Sequence, residues 1–382
     1  MNEQSAIRNP QSAINVGAIE RELTSLWAQA SEHEDGGIMR ASTLNLLVFV
    51  TSQSEAARLD DTLTEVTAAH PSRAILIIAD SQSQDPALAA QVTSRCTLPT
   101  ATSKKVCCEQ VTITAAGSEL AEVPSAVAPL LVSDLPVYLW WCTVPRITDK
   151  VTFRRLADLS DRVIIDSADF NDPHGDLASM AEVLRVTPRW TAISDLNWAR
   201  LTAWRALLAG FYDVSEYRPL MAAVNQVVIE YSPAGADTEA LSPRALLLGG
   251  WLASRLGWQL EGGPVTRDAG SSLFAFSKDA RKIKLEFART QREIEPGRIA
   301  MVTIRSAADE SASFTVRRSG DAQRIETVVA RGEERIAQRV LSYESLKESE
   351  LVGRELEILG HDRVYEQAVL AAGEMVKAVS SQ

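Results

Sequence analysis

The first half of the chain alternates between apolar runs and stretches of helical spacing. Ile19, Leu23, Leu26 and Trp27 form one stripe of a first helix, and Gly36-Gly37 lies beyond its end. The run at 44–50 reads as a strand covered on both faces, followed by a helix capped at Ser54 that carries Ala57, Leu63 and Val66. His70-Pro71-Ser72 turns the chain into a second buried strand at 74–79. Residues 81–103, rich in Ser, Gln and Thr, read as a loop. The series continues with a strand at 106–115, a helix near 118–130 and a very apolar strand at 135–141. A helix near 152–158, a strand at 162–166 and a helix at 177–186 complete it. Such a rhythm predicts a mostly parallel sheet with helices on both faces.

Beyond about residue 220 the period changes. Residues 223–231 form a strand, and Ser242-Pro243 opens a helix that runs to Gly257. In Lys282-Ile283-Lys284-Leu285-Glu286-Phe287, apolar and charged residues alternate, as on a sheet with one wet face. Strands at 299–305, 312–318 and 324–330 make a meander, and a long helix at 346–378, broken near Gly360, closes the chain. The expected fold is an N-terminal mostly parallel α/β sandwich followed by a C-terminal α+β domain with an antiparallel sheet. The expected division is a disordered tail at 1–15, an α/β domain at 16–195, a Trp/Arg-rich connecting helix at 196–219 and an α+β domain at 220–382.

Composition narrows the classes of function. A chain of 382 residues with 39 basic and 50 acidic side chains carries a formal charge of −11 and has no long basic run, so nucleic acid is not an expected partner. No apolar stretch near the N-terminus approaches the roughly 20 residues of a membrane span, and residues 1–15 lack a secretory layout. A cytoplasmic protein with no membrane partner is expected. Cys96, Cys107, Cys108 and Cys142 form no CxxC pair and read as reduced thiols; Cys107 and Cys108 sit at a strand start, and pairing of one of them with Cys96 is the alternative.

Motifs for chemistry are missing: there is no GxGxxG, GxxxxGK[ST], HExxH or GxSxG. The four histidines, His33, His70, His174 and His361, show no metal-ligand spacing, so neither a metal nor a cofactor is expected. His70 and Arg73 at one strand end, with Asp166 at another, suit either turns or an anion contact, the second giving a small-molecule site for a sugar phosphate or nucleotide. Gly249-Gly250 lies within a helix and points to close packing.

The least ordinary stretch is Asp195-Leu196-Asn197-Trp198-Ala199-Arg200-Leu201-Thr202-Ala203-Trp204-Arg205, with Trp190 upstream. Asp195 caps a helix; Leu201, Trp204, Leu208 and Phe211 fall on one stripe. Trp and Arg together serve interfaces as well as cores, and Trp204 can belong to either. This segment resembles the Asp-Leu-x-Trp-x-Arg-Leu-Thr-Pro-Trp-Arg stretch of the OpcA family, the glucose-6-phosphate dehydrogenase assembly proteins, with Ala203 at the family's Pro. His70-Pro71-Ser72-Arg73, the strand ending in Trp140-Trp141, the segment 161–167 and the helix at 248–257 are similar in order. The resemblance implies a non-catalytic assembly factor and allosteric activator of glucose-6-phosphate dehydrogenase that supports the oxidative pentose phosphate pathway and NADPH supply. Partner contact is then expected at Asp195, Asn197, Trp198, Arg200, Thr202, Trp204 and Arg205.

Overall fold

The computed structural model describes residues 5–7, 14–32, 38–80, 82–83, 85–97, 105–143, 151–186, 191–233, 240–267, 270–320, 323–358 and 360–380. Two compact units emerge. One comprises residues 1–166, 188–194 and 347–361, the other 167–187, 195–346 and 362–382.

The first unit is built on strands β1 (Ser5–Ile7), β2 (Ile38–Arg40), β3 (Leu44–Val50), β4 (Ser72–Asp80), β5 (Ala87–Thr97), β6 (Lys105–Ala116), β7 (Val137–Trp141), β8 (Arg162–Ile165) and β9 (Ala192–Asp195). Its helices are α1 (Val16–Glu32), α2 (Gln53–Arg58), α3 (Asp60–Ala69), α4 (Val123–Val127) and α5 (Phe153–Asp158). The sheet runs β1-β5-β6-β4-β3-β7-β8-β9, with β2 beside β6. Strands β6, β4, β3, β7 and β8 pair in parallel. Every residue of β3 and β7 is buried, as a strand covered on both faces requires. Phe49 stacks on Trp141 at 3.8 Å between ring centres, and Phe153 meets the indole edge-on.

Two local expectations change. Within the expected loop at 81–103, β5 lies antiparallel to β6. Among the residues of β5 whose burial is described, only Ala90 and Val92 are buried, so its polar residues hid a strand. The register sets Cys96 opposite Cys107, and the two are joined by a disulfide rather than standing as free thiols; Cys108 stays a buried thiol and Cys142 a half-buried one. The helix expected near 118–130 is broken into 3-10 turns on either side of α4, with Pro124 and Pro129 removing helix donors. Of the tail at 1–15, Ser5–Ile7 pair antiparallel with β5, and residues 1–4 and 8–13 lie outside the described residues.

The second unit contains α6 (Pro173–Val186), α7 (Leu196–Ala199), α8 (Thr202–Asp213), α9 (Arg218–Ala222) and α10 (Pro243–Leu256). Its strands are β10 (Val224–Tyr231), β11 (Gln259–Leu260), β12 (Val265–Arg267), β13 (Ser271–Lys278), β14 (Arg281–Arg289), β15 (Ile299–Ser306), β16 (Ala312–Arg318), β17 (Arg324–Arg331) and β18 (Glu334–Ser342). The order is β11-β13-β14-β10-β15-β16-β17-β18, with β12 beside β13. Neighbours are antiparallel except β10 and β14. Phe274, Phe276, Ile283, Leu285, Phe287, Val227 and Ile229 bury one face.

The expected C-terminal helix is two helices, α11 (Glu348–Glu357) and α12 (Arg363–Ser380), parted at Gly360, whose φ of +81° suits a residue without a Cβ. Helix α11 belongs to the first unit, where Ser349 Oγ donates to Glu65 of α3 at 2.5 Å and Gly353 leaves room for His70. Helix α12 packs on α10 and α6 in the second. A Cβ on Gly250 would lie 2.3 Å from the Ala368 carbonyl oxygen, so α10 and α12 touch backbone to backbone. Helix α6 falls within the expected N-terminal segment but groups with the second unit, because Ala181 seats against Gly373 of α12.

Candidate functional site

The Trp/Arg segment leaves β9 and winds through α7 into α8. Asp195 is in extended backbone, and its Oδ1 accepts from the backbone N–H of Asn197 at 2.8 Å and of Ser167 at 3.0 Å. One carboxylate thereby caps a helix and pins a neighbouring turn. Asn197 is also consumed internally: its Nδ2 donates to Ser167 Oγ at 3.0 Å, and its Oδ1 accepts from Nε of Arg244 on α10. Both residues are about 1% exposed.

Trp198 is buried. Its Nε1 donates to Asp362 Oδ2 at 2.9 Å, while Asp362 Oδ1 accepts from the backbone N–H of Val364 and Tyr365 and so caps α12. Tyr365 lies 5.7 Å from the indole. On the other side the Arg205 guanidinium sits 3.6 Å above the indole ring, within range of a cation–π contact, and donates to Thr202 Oγ1 at 3.1 Å. Thr202 Oγ1 in turn donates to the Ala199 carbonyl.

Trp204, which the stripe left undecided, is 1% exposed and belongs to the core with Leu201, Leu208 and Phe211. Its ring faces the buried Arg318 guanidinium at 5.7 Å, and Phe211 packs edge-on against Phe314. Of the seven residues singled out, Asp195, Asn197, Trp198 and Trp204 are enclosed, Arg200 and Arg205 are half-buried, and Thr202 is exposed. Trp190 lies outside the described residues.

His70, Arg73 and Asp166 do not converge. The parallel strands start level, with Asn45 opposite both Arg73 and Val137, and Tyr138 opposite Arg162. His70 and Arg73 are therefore at the amino edge of the sheet, whereas Asp166 follows the last residue of β8 at the carboxyl edge. Four residues of strand put about 13 Å between those edges. Arg73 is 5% exposed; it donates to Glu109, to Glu20 and to the Leu130 carbonyl, leaving its fork occupied. His174 Nε2 accepts from the Leu241 N–H at 3.0 Å, and His33 lies outside the described residues. Among the described residues no group of three His, Cys, Asp or Glu side chains is placed to hold a metal ion, and no helix is long and apolar enough to cross a membrane.

Comparison with known proteins bears on both units. A family profile described as the glucose-6-phosphate dehydrogenase subunit N-terminal domain matches residues 63–182, and one described as the C-terminal domain of that subunit matches residues 191–369. The "Putative OxPP cycle protein OpcA" of Nostoc punctiforme is 27% identical over 325 residues, covering 82% of this chain and 67% of the relative. Its namesake in Synechocystis sp. is 26% identical over 384 residues, covering 96% of this chain and 76% of the relative. A solved structure, the WlbA dehydrogenase from Thermus thermophilus, aligns with a TM-score of 0.43 at 10% identity over 87% of this chain and 94% of its own, too loosely to bear on function. The two profiles together span most of the chain and include the whole Trp/Arg segment: the chain belongs to the OpcA family of glucose-6-phosphate dehydrogenase assembly proteins.

Proposed function

We propose that this chain is a non-catalytic partner of glucose-6-phosphate dehydrogenase that promotes its active oligomer and raises its activity, in the cytoplasm and in support of NADPH supply. The observation that carries this reading is the match of both halves to dehydrogenase subunit profiles. An activator must bind the active state of its target better than the inactive one; a tenfold preference corresponds to about 1.4 kcal/mol of coupling.

Within the Trp/Arg segment, the groups that reach the surface are those of Arg200, Thr202 and Arg205. Asp195, Asn197, Trp198 and Trp204 form the floor beneath them. The indole under Arg205 holds a guanidinium in one orientation before any partner arrives, which lowers the ordering cost of an interface contact. Arg200 and Arg205 are assigned to the partner and Trp204 to the core.

The test is to mix the purified chain with the dehydrogenase of the same organism and measure rate and oligomeric mass. Activation accompanied by a heavier species is expected, with no turnover of glucose 6-phosphate by the chain alone. Replacing Arg200 and Arg205 together by Ala should reduce activation at least about tenfold, since charge-assisted contacts are worth roughly 1.5–3 kcal/mol. Unchanged kinetics and mass with the wild-type chain would remove the assembly reading. Full activation by the double variant would remove these two residues from it.

A further inference from the structure

A cavity of about 590 Å³ opens at the amino edge of the first sheet, where β7, β8 and β9 begin. Its apolar wall is Leu135, Pro136 and Ile358. The wall is fixed from beneath by Asn45, fully buried, whose side chain bonds the backbone of Val132 and the Leu135 carbonyl. Arg162 lies behind the cavity and is 2% exposed. It donates to Ser194 Oγ and the Gly360 carbonyl and lies 3.9 Å from the buried Glu355. Its charge is answered and its donors are engaged, so it builds the wall rather than offering bonds into the space. His361, at the rim, is likewise engaged within the fold.

The groups left to a ligand are different. Tyr138 is 3% exposed, lines the cavity and has no hydrogen-bond partner among the described residues for its hydroxyl. Burial pushes its pKa up and Asp161 adds to that, against Arg162, so the hydroxyl stays protonated. Asp161 uses Oδ2 to accept from the Val137 N–H at 2.8 Å, which leaves Oδ1. Asp134 holds the turn at φ +64°, and its carboxylate is unbonded among the described residues. The cavity thus presents two carboxylates, a neutral hydroxyl and an apolar side. Phosphates and carboxylates would meet like charge there. The Tyr138 hydroxyl, a donor and acceptor at the cavity wall, is a polar contact that a ligand can complete.

We propose that this cavity binds a small organic cation, an ammonium or guanidinium compound with a short aliphatic stem. Asp134 and Asp161 hold the charged end, Tyr138 supplies a hydroxyl contact, and Leu135, Pro136 and Ile358 cover the stem. The volume is in the range of ordinary small-molecule sites, roughly 300–1,000 Å³. The site shares no lining residue with the Trp/Arg segment, and the proposal does not rest on the dehydrogenase reading.

Calorimetric titration of the full chain with agmatine and with putrescine tests it, with sorbitol and inorganic phosphate as controls. Saturable binding of at least one cation, weakened by salt, is expected. Asp134→Asn keeps a residue that tolerates positive φ and should weaken binding about tenfold through loss of a charge-assisted contact. Tyr138→Phe removes only the hydroxyl and should weaken it about fivefold. Both variants should melt close to the parent, because neither removes a hydrogen bond of the Arg162 network. The proposal is overturned if neither cation binds, if sorbitol or phosphate binds as tightly, or if both variants bind like the parent.

Discussion

Gly250 offers a stability prediction whose sign and size follow from distances. A methyl group there would lie 2.3 Å from the Ala368 carbonyl oxygen and 3.0 Å from the Ala372 nitrogen, both backbone atoms of α12. Restoring normal contact requires α10 and α12 to part by about 1 Å. Overpacking costs about 1–3 kcal/mol, and the upper end applies because no side chain can rotate away. Alanine recovers up to about 1 kcal/mol as the better helix former. Gly250→Ala should therefore destabilise by about 2 kcal/mol. Two internal controls use the same substitution in helices. At Gly249 the added methyl would meet Phe287 Cζ at 2.7 Å and Leu285 Cδ2 at 3.1 Å, side-chain atoms that can shift, so the net change should be within about 1 kcal/mol of zero. At Gly210 nothing lies within 4 Å, and Ala should stabilise by roughly 0.5–1 kcal/mol. Urea unfolding followed by circular dichroism, compared at unchanged slope, gives the order. A Gly250→Ala chain as stable as its parent, or less affected than Gly249→Ala, would refute the backbone-contact reasoning.

Three further outcomes can be measured in the same way. Arg73→Ala strands the buried Glu109 carboxylate and should cost about 3–5 kcal/mol, most of it recovered when Glu109→Leu is combined with Arg73→Met. Burial pushes the Tyr212 pKa up to about 12, and its hydroxyl has no partner among the described residues. The unfolded chain ionises near the ordinary value of 10.0 while the folded chain does not, so this residue's contribution is full below pH 10 and declines as pH rises towards 12. Tyr212→Phe should be neutral or more stable by up to about 1 kcal/mol at pH 7, and its advantage should widen in alkali. The disulfide predicts two thiols in the denatured, unreduced chain and four after reduction, with reduction costing about 3 kcal/mol for a loop of this length. Four thiols without reductant would contradict it.

Much of the fold was legible because hydrophobic period reports what each element buries. The runs at β3, β4 and β7 declare strands covered on both faces, and the alternation in β14 declares a strand with one wet face. What period cannot report is which sheet a helix covers. Helices α6 and α11 each show an apolar side, but only tertiary contact sends α6 to α12 and α11 back to α3. Exposed edges fade for a related reason: all nine residues of β18 are exposed, so burial left no imprint on its sequence. In the Trp/Arg segment the residue types were informative but their direction was not. Tryptophan beside arginine suits a partner's surface and a buried cation–π pair equally well, and Trp204 resolves to the second. Strand polarity did hold a usable signal at Arg73 and Asp166. One opens a strand and the other follows one, which in parallel strands sets them at opposite edges.

The interleaved path of the chain carries a consequence for synthesis. Glu65 of α3 and His70 at its C-terminal cap receive Ser349 and Gly353, which the ribosome makes after nearly all of the second unit. At roughly 5–20 residues per second, the intervening segment 195–346 takes about 8–30 s to emerge. For that interval α3 waits without α11, the helix that packs on it. During that interval a surface that the finished fold covers is open to chaperones or to pairing with the wrong surface.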